Sequence, residues 1–138
     1  MVQVDIAYEG SLACAATHGP SGTVLRTDAP VDNHGKGSSF SPTDLVATAL
    51  GTCMLTVMAI VAQRIGVDLA GTRVCVTKEM AATPQRRIGK LTVTFFIPAA
   101  PSDEQRKRLE SAAMTCPVHH SLHPDVLTPI EFKWGVER

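Results

Sequence analysis

Aromatic side chains are scarce: one Trp, one Tyr and four Phe in 138 residues. With Tyr8 and Trp134 at opposite ends of the chain, no platform for stacking nucleic-acid bases is indicated. Net charge is lacking as well. Thirteen Lys and Arg balance thirteen Asp and Glu, and the basic clusters are short, Gln85-Arg86-Arg87 and the three-residue run Arg106-Lys107-Arg108 with Glu104 and Glu110 beside it, which argues against a nucleic-acid groove or an anionic-membrane patch. The N-terminus, MVQVDIAYEG, has no positive segment followed by an apolar core, so no secretory signal is read and a cytoplasmic location is expected. Only four cysteines occur, Cys14, Cys53, Cys75 and Cys116. In a chain without an export signature they do not suggest a disulfide scaffold, although a catalytic or sensing disulfide stays open. Residues 45–63 lack any charged side chain. That run approaches the length of a membrane span, but Thr48, Gly51, Thr52, Thr56 and Gln63 interrupt it, which favours a buried helix and no membrane partner.

What is present reads as one domain, 1–138, large enough to bury most of the apolar surface of its unfolded chain. Val2, Val4 and Ile6 alternate with Gln3 and Asp5, and residues 12–17 and 22–27 are short, turn-bounded runs. Three strands in a meander are expected. Residues 29–40, APVDNHGKGSSF, form a loop by composition. Ser41 supplies a capping hydroxyl, Pro42 the first helical position and Asp44 a negative charge in the first turn, while Arg64 and Gly66 close the helix in the matching way. Two long strands follow, 71–80 and 90–97, with Val74, Val76, Leu91, Val93 and Phe95 on the alternating pattern. A charged amphipathic helix over 102–114 buries Leu109, Ala112 and Ala113. A turn at Cys116, a stop at Pro124 and a strand near 130–136 end the chain. The order predicts an α+β fold with largely antiparallel sheets. Because the long helix is apolar on nearly all sides, one sheet face cannot cover it, and a homodimer in which these helices meet is expected.

Two thiols hold the chemistry. Cys53 sits in the middle of the uncharged helix, and Cys116 directly precedes Pro117, which places it at a helix cap where unpaired N–H groups favour a thiolate. Read alone, Cys53 is as well explained as a small core hydrophobe, because free cysteine is commonly buried and inert. Cys14 and Cys75 read as packing residues on strands. Cys116, His119, His120 and His123 form C-x-x-H-H-x-x-H, with borderline ligands suited to zinc, but a fourth donor is missing and Pro124 cuts the segment short. No metal and no other cofactor is expected. Lys78, Glu79, Arg86 and Arg87 read as charges on exposed strand faces.

The Ser-Pro-x-Asp-Leu opening at Ser41 to Leu45, the small-residue-rich helix with a central cysteine and the later Cys-Pro-Val turn together resemble the OsmC/Ohr family of osmotically induced and organic-hydroperoxide-resistance proteins. The resemblance runs through nearly the whole chain. It implies an OsmC-like intertwined homodimer with a thiol peroxidase site between subunits. It further implies that Cys53 attacks the peroxide and becomes a sulfenic acid, that Cys116 closes a Cys53–Cys116 disulfide, and that a thiol or dithiol reductant restores both. Leu50, Met54 and Val57 are expected to line an apolar pocket for an organic hydroperoxide. Two features depart from the family pattern. Thr43 occupies the place of a glutamate that follows the helix-opening proline, and the preceding loop holds Asn33, His34 and Lys36 but no arginine. Asp44 lies about 100° around the helix from Thr43 and does not simply replace it. His34, Lys36 and Arg26 are the candidate positive partners of Cys53. The departure leaves an alternative: a non-catalytic member of the fold that binds a small apolar or acylated ligand at the dimer interface.

Overall fold

Period-two alternation at both ends of the chain and a long apolar helix between them yield six strands and three α-helices in the computed structural model, which describes residues 1–137. They are β1 (Val4–Gly10), β2 (Ala13–His18), β3 (Val24–Asp28), α1 (Pro42–Ile65), β4 (Arg73–Ala81), β5 (Arg87–Ile97), α2 (Asp103–Ala113), α3 (Pro117–Ser121) and β6 (Ile130–Trp134). The chain divides into two compact units, Met1–Val46 and a second that begins at Ala47, so the boundary falls inside α1.

In the first unit β1, β2 and β3 form an antiparallel sheet in sequence order. The pairing sets Ile6 opposite Ala16 and Ala16 opposite Leu25. Cross-strand partners share a face, so Val4, Ile6, Tyr8, Cys14, Ala16 and Leu25 line one side. Within the single chain Val4, Ile6 and Tyr8 are 51%, 70% and 67% exposed, respectively. The loop after β3 folds around Asp28, a residue only 3% exposed. One carboxylate oxygen accepts from the Ser38 backbone N–H at 3.0 Å and from the Ser38 hydroxyl at 2.7 Å. These bonds hold the Asp28 carboxyl below the usual carboxylate range, with the Ser38 hydroxyl as the largest cause and the backbone N–H groups of Ser38, Ala29 and Lys36 assisting against burial. Gly35 packs against the Ala29 carbonyl so closely that a Cβ there would overlap it.

The start of α1 is a reciprocal cap. The Asp44 N–H donates to the Ser41 hydroxyl at 3.1 Å, and the Ser41 N–H donates back to the Asp44 carboxylate at 2.8 Å. Two orphan donors of the first turn are satisfied in this way. At the other end Gly66 adopts φ 74°, the left-handed conformation that stops a helix, and the Val67 N–H donates to the Ala62 carbonyl.

In the second unit β4, β5 and β6 form a three-stranded sheet in that order. β4 and β5 are antiparallel, whereas β6 runs parallel to β5, the one exception among the described strands to the antiparallel expectation. Val74 pairs with Phe95 and Val76 with Val93, so these four share a face. That face meets α1, because a Cβ on Gly51 would lie 2.8 Å from Val76 and 3.4 Å from Val74. Leu50, Met54, Met58, Leu91, Val93, Phe95 and Ile97 are fully buried. Each contributes roughly 1.5–3 kcal/mol on leaving water. The buried stripe of α1 is Ala47, Leu50, Gly51, Met54, Met58 and Ala62. The opposite side of α1 stays open, Ile60 being 46% exposed. By length and composition alone α1 is apolar enough to cross a membrane. α2 opens on a capping box between Ser102 and Gln105 and buries Leu109, Ala112 and Ala113 as the periodicity predicts. Trp134 of β6 donates its indole N–H to Glu110 of α2 at 2.9 Å, and the Phe132 ring stacks on Phe95 at 4.7 Å.

Candidate active site

Helical spacing puts Cys53 next to the buried stripe of α1 without placing it inside. It follows Leu50 by three residues and precedes Met54 by one, and it is half-buried. Leu50 and Met54 themselves are turned into the core with no exposed surface. They therefore do not line an open pocket as expected from the sequence, since packing on the β4–β5 sheet takes that face; Val57 remains half-buried.

Cys116 is brought to the same place by the end of α2. The backbone turns there through bonds from the Thr115 N–H to the Ala112 carbonyl at 3.0 Å and from the Cys116 N–H to the Ala113 carbonyl at 3.4 Å. Pro117 then opens α3 with Cys116 as its N-cap. The segment after α3 is stitched to β5: the Leu91 N–H donates to the Leu127 carbonyl at 2.8 Å and the Val93 N–H to that of Pro129 at 2.9 Å. Cys116 is fully buried, and its sulfur accepts a hydrogen bond from the His119 N–H at 3.4 Å.

The thiols of Cys53 and Cys116 are neighbours, near enough for one to influence the ionisation of the other, and both cysteines are free. Burial pushes the Cys116 thiol up from its ordinary range, and the neighbouring Cys53 thiol adds to the rise against the helix-cap N–H groups of His119 and Val118. The cap alone would favour a thiolate, so desolvation outweighs the helix-terminus effect read from the sequence. Cys116 thus holds its proton. Such a pair can give up two electrons to an oxidant and end as a disulfide.

The remaining candidates have local roles. Arg26 on β3 pairs with Glu9 at 3.2 Å on an exposed surface. His34 adopts φ 70° in the loop after the short 3-10 turn Val31–Asn33, and Lys36 in the same loop is exposed. Asp44 serves the cap of α1 together with Ser41. Cys14 and Cys75 are half-buried on β2 and β4. The histidine motif does not gather: α3 ends at Ser121, so His123 leaves the face of Cys116 and His120, and its ring sits 3.7 Å from Asp125. Among the described residues no group of three or more metal-ligating side chains exists. Arg87 is half-buried, with an Nε shut off from solvent, and not an exposed strand charge. In the sequence His119 stands out only as part of the histidine motif. Its spacing from Cys116 is visible in the sequence, but the burial of the Nδ1 edge of this half-buried residue is not. The ring shares a hydrogen bond with the Thr128 hydroxyl at 3.0 Å through Nε2, while Nδ1 is buried without a hydrogen-bond partner.

A long helix on a three-stranded sheet with two adjoining thiols defines a dithiol protein of α+β class. The sequence matches the family model for OsmC-like protein over residues 35–131, and the chain belongs to that family. It is similar, at 42% identity over 96% of both chains and a TM-score of 0.90, to a protein from Psychrobacter arcticus 273-4 described as an osmotic stress induced and detoxification response protein. The fold also matches an organic hydroperoxide resistance protein OsmC from Legionella pneumophila, with 15% identity, 96% of each chain covered and a TM-score of 0.77. A further match is an organic hydroperoxide resistance protein from Elizabethkingia anophelis, with 12% identity, 96% and 95% coverage and a TM-score of 0.72. No curated protein sequence matches.

Proposed function

We propose that the protein is a cytoplasmic, homodimeric thiol peroxidase that reduces organic hydroperoxides to alcohols. The observation that carries this reading is the adjoining pair of free thiols, one of them buried and held protonated. That asymmetry supports a division of roles. Cys53, half-buried, is the thiol that attacks the peroxide, and Cys116, fully buried, is the one that closes the disulfide. The Cys53 sulfur takes the terminal oxygen of the hydroperoxide, the O–O bond breaks, and the alkoxide leaves to collect a proton as alcohol. Cys53 is now a sulfenic acid. Cys116 attacks that sulfur, the S–O bond breaks, and the hydroxyl leaves as water with the proton of the Cys116 thiol. A dithiol reductant then opens the Cys53–Cys116 disulfide, becoming a disulfide itself.

The homodimer is supported by the apolar face of β1, β2 and β3 and by the open side of α1. Monomeric proteins rarely expose so much contiguous apolar surface. One observation favours a second reading, ligand binding without turnover: Asp44 serves the helix cap and Thr43, at the family's glutamate place, carries no charge.

The test is to treat the reduced protein with one equivalent of an organic hydroperoxide and map the cysteines by mass spectrometry. Rapid formation of a Cys53–Cys116 disulfide, with a trappable sulfenic acid at Cys53 in Cys116→Ser and none in Cys53→Ser, is the expected result. Thiols that stay reduced while free cysteine in the same tube oxidises would overturn the peroxidase and leave the ligand-binding reading.

A further inference from the structure

We infer that a cleft between the β4–β5 turn and the segment after α3 binds an organic monocarboxylate with a short apolar chain, its carboxylate on Arg87. The cleft measures about 450 Å³, within the range of roughly 300–1,000 Å³ that small-molecule sites occupy. It lies wholly within the second unit. Residues from Pro84 to Ile88 form one wall and residues from Ser121 to Val126 the other. Backbone bonds hold both walls. The Leu127 N–H donates to the Gly89 carbonyl at 3.0 Å, and the Val126 N–H donates to that of His123 at 3.0 Å. Gly89 packs so closely on the end of β4 that a Cβ there would meet the Ala81 Cβ at 2.9 Å. The cleft is therefore formed before a ligand arrives, which spares binding the cost of ordering it.

Its charges are unevenly matched. Arg87 is half-buried, its Nε is shut off from solvent without a hydrogen-bond partner, and its Nη1 donates to a neutral acceptor, the Ile88 carbonyl, at 3.3 Å. Among the described residues no carboxylate pairs with it. Taking a charge out of water without a counter-ion is costly, and folded proteins pair such charges. Asp125 lines the same cleft, but it is engaged with His123: its carboxylate lies 3.7 Å from Nδ1, and its backbone N–H donates to that nitrogen at 3.1 Å. Arg87 is thus a permanent cation on the cleft wall with no anion of its own. A ligand carboxylate supplies one, in the two-pronged geometry that guanidinium and carboxylate share.

The rest of the lining sets what the carboxylate is attached to. Pro84, Ile88, Leu122 and Val126 contribute apolar surface, and the last three are half-buried, so a hydrocarbon chain gains by leaving water there. Asp125 disfavours a second negative charge on the ligand, which argues against a phosphate dianion. One charge at one end and an apolar chain at the other describe a monocarboxylate. No cysteine lines the cleft, so binding there does not depend on the dithiol chemistry proposed above.

Octanoate is the probe. Added to the nitrogen-15-labelled full chain, it is expected to shift the amide signals of Gln85, Ile88, Leu122 and Val126 saturably. Two controls separate charge from chain: 1-octanol and inorganic phosphate should each bind weaker by about tenfold or more. In Arg87→Gln the affinity for octanoate should fall between roughly tenfold and a hundredfold. Arg87→Lys, which keeps the charge and loses the fork, should fall only several-fold. Val126→Phe fills the cleft with Arg87 in place and should abolish binding, and the same spectra report whether each variant is folded. The double variant Cys53→Ser, Cys116→Ser should bind as the wild type does. No shift at millimolar octanoate, or shifts clustered elsewhere, would overturn the proposal, as would octanol or phosphate binding as tightly as octanoate. Loss of binding in the folded double variant would move the ligand to the dithiol, and cleft signals that shift with protein concentration alone would make the occupant a second copy of the chain; either result overturns the site.

Discussion

Cys116 combines two opposing effects at one atom: the cap of α3 offers its sulfur an N–H, and burial removes the water that would stabilise a thiolate. Burial prevails, so the folded protein keeps this proton to higher pH than the unfolded chain does. Between the ordinary thiol range and the raised value the folded state binds more protons, and its stability therefore falls as pH rises through that window. Denaturant titrations from neutral to alkaline pH are expected to show this decline in the wild type and a shallower one in Cys116→Ser. Gly51 presents a different balance. A methyl group there would meet Val76 at 2.8 Å. Valine is stiff about χ1, so overpacking costs about 1–3 kcal/mol, against a gain of about 1 kcal/mol in helix propensity. Gly51→Ala is thus expected to lower stability by up to about 2 kcal/mol, read as a lower denaturation midpoint.

At the scale of elements, the loop between β3 and α1 hangs on Asp28. The Asp28 carboxyl is held low, first by the Ser38 hydroxyl, so its contribution is present above the unfolded carboxylate range and is lost as pH falls through the lowered value. Protease cleavage within residues 29–40 should accelerate on acidification. Asp28→Asn should show that acceleration already at neutral pH. The cap of α1 allows a simpler test: Ser41→Ala removes the acceptor of the Asp44 N–H and should cost about 1 kcal/mol, measured by thermal or chemical unfolding. Most elements were legible because each carries its own local signal. Ser41, Pro42 and Asp44 open α1, Gly66 closes it, and Ser102 with Gln105 starts α2. The direction of β6 was not legible. A five-residue strand has the same alternation whether it runs parallel or antiparallel, and the segment from Leu122 to Pro129 decides the matter by bonding to β5.

For the whole molecule, the first sheet carries the consequence. Val4, Ile6 and Tyr8 project from one face of β1 into solvent in the single chain, and burying them in a homodimer removes that liability. Ile6→Lys is expected to convert the proposed dimer to monomer in sedimentation velocity and to lower stability at dilute concentration, since in such a dimer association and folding are coupled. A wild-type protein that sediments as a monomer at micromolar concentration would refute the dimer.

The sequence by itself determined the class of fold and the position of the long helix, and it singled out the two cysteines that the fold makes neighbours, because periodicity, caps and residue chemistry are local properties. It also exposed the departure at Thr43. Three matters were decided only by tertiary structure. Leu50 and Met54 face the core and not a pocket, because the β4–β5 sheet occupies that side of α1. Cys116 is protonated where its cap argued for a thiolate, because desolvation depends on what surrounds a residue and not on what precedes it. The buried edge of His119 is set by Thr128, a residue nine positions away whose proximity comes from the return of the chain to β5.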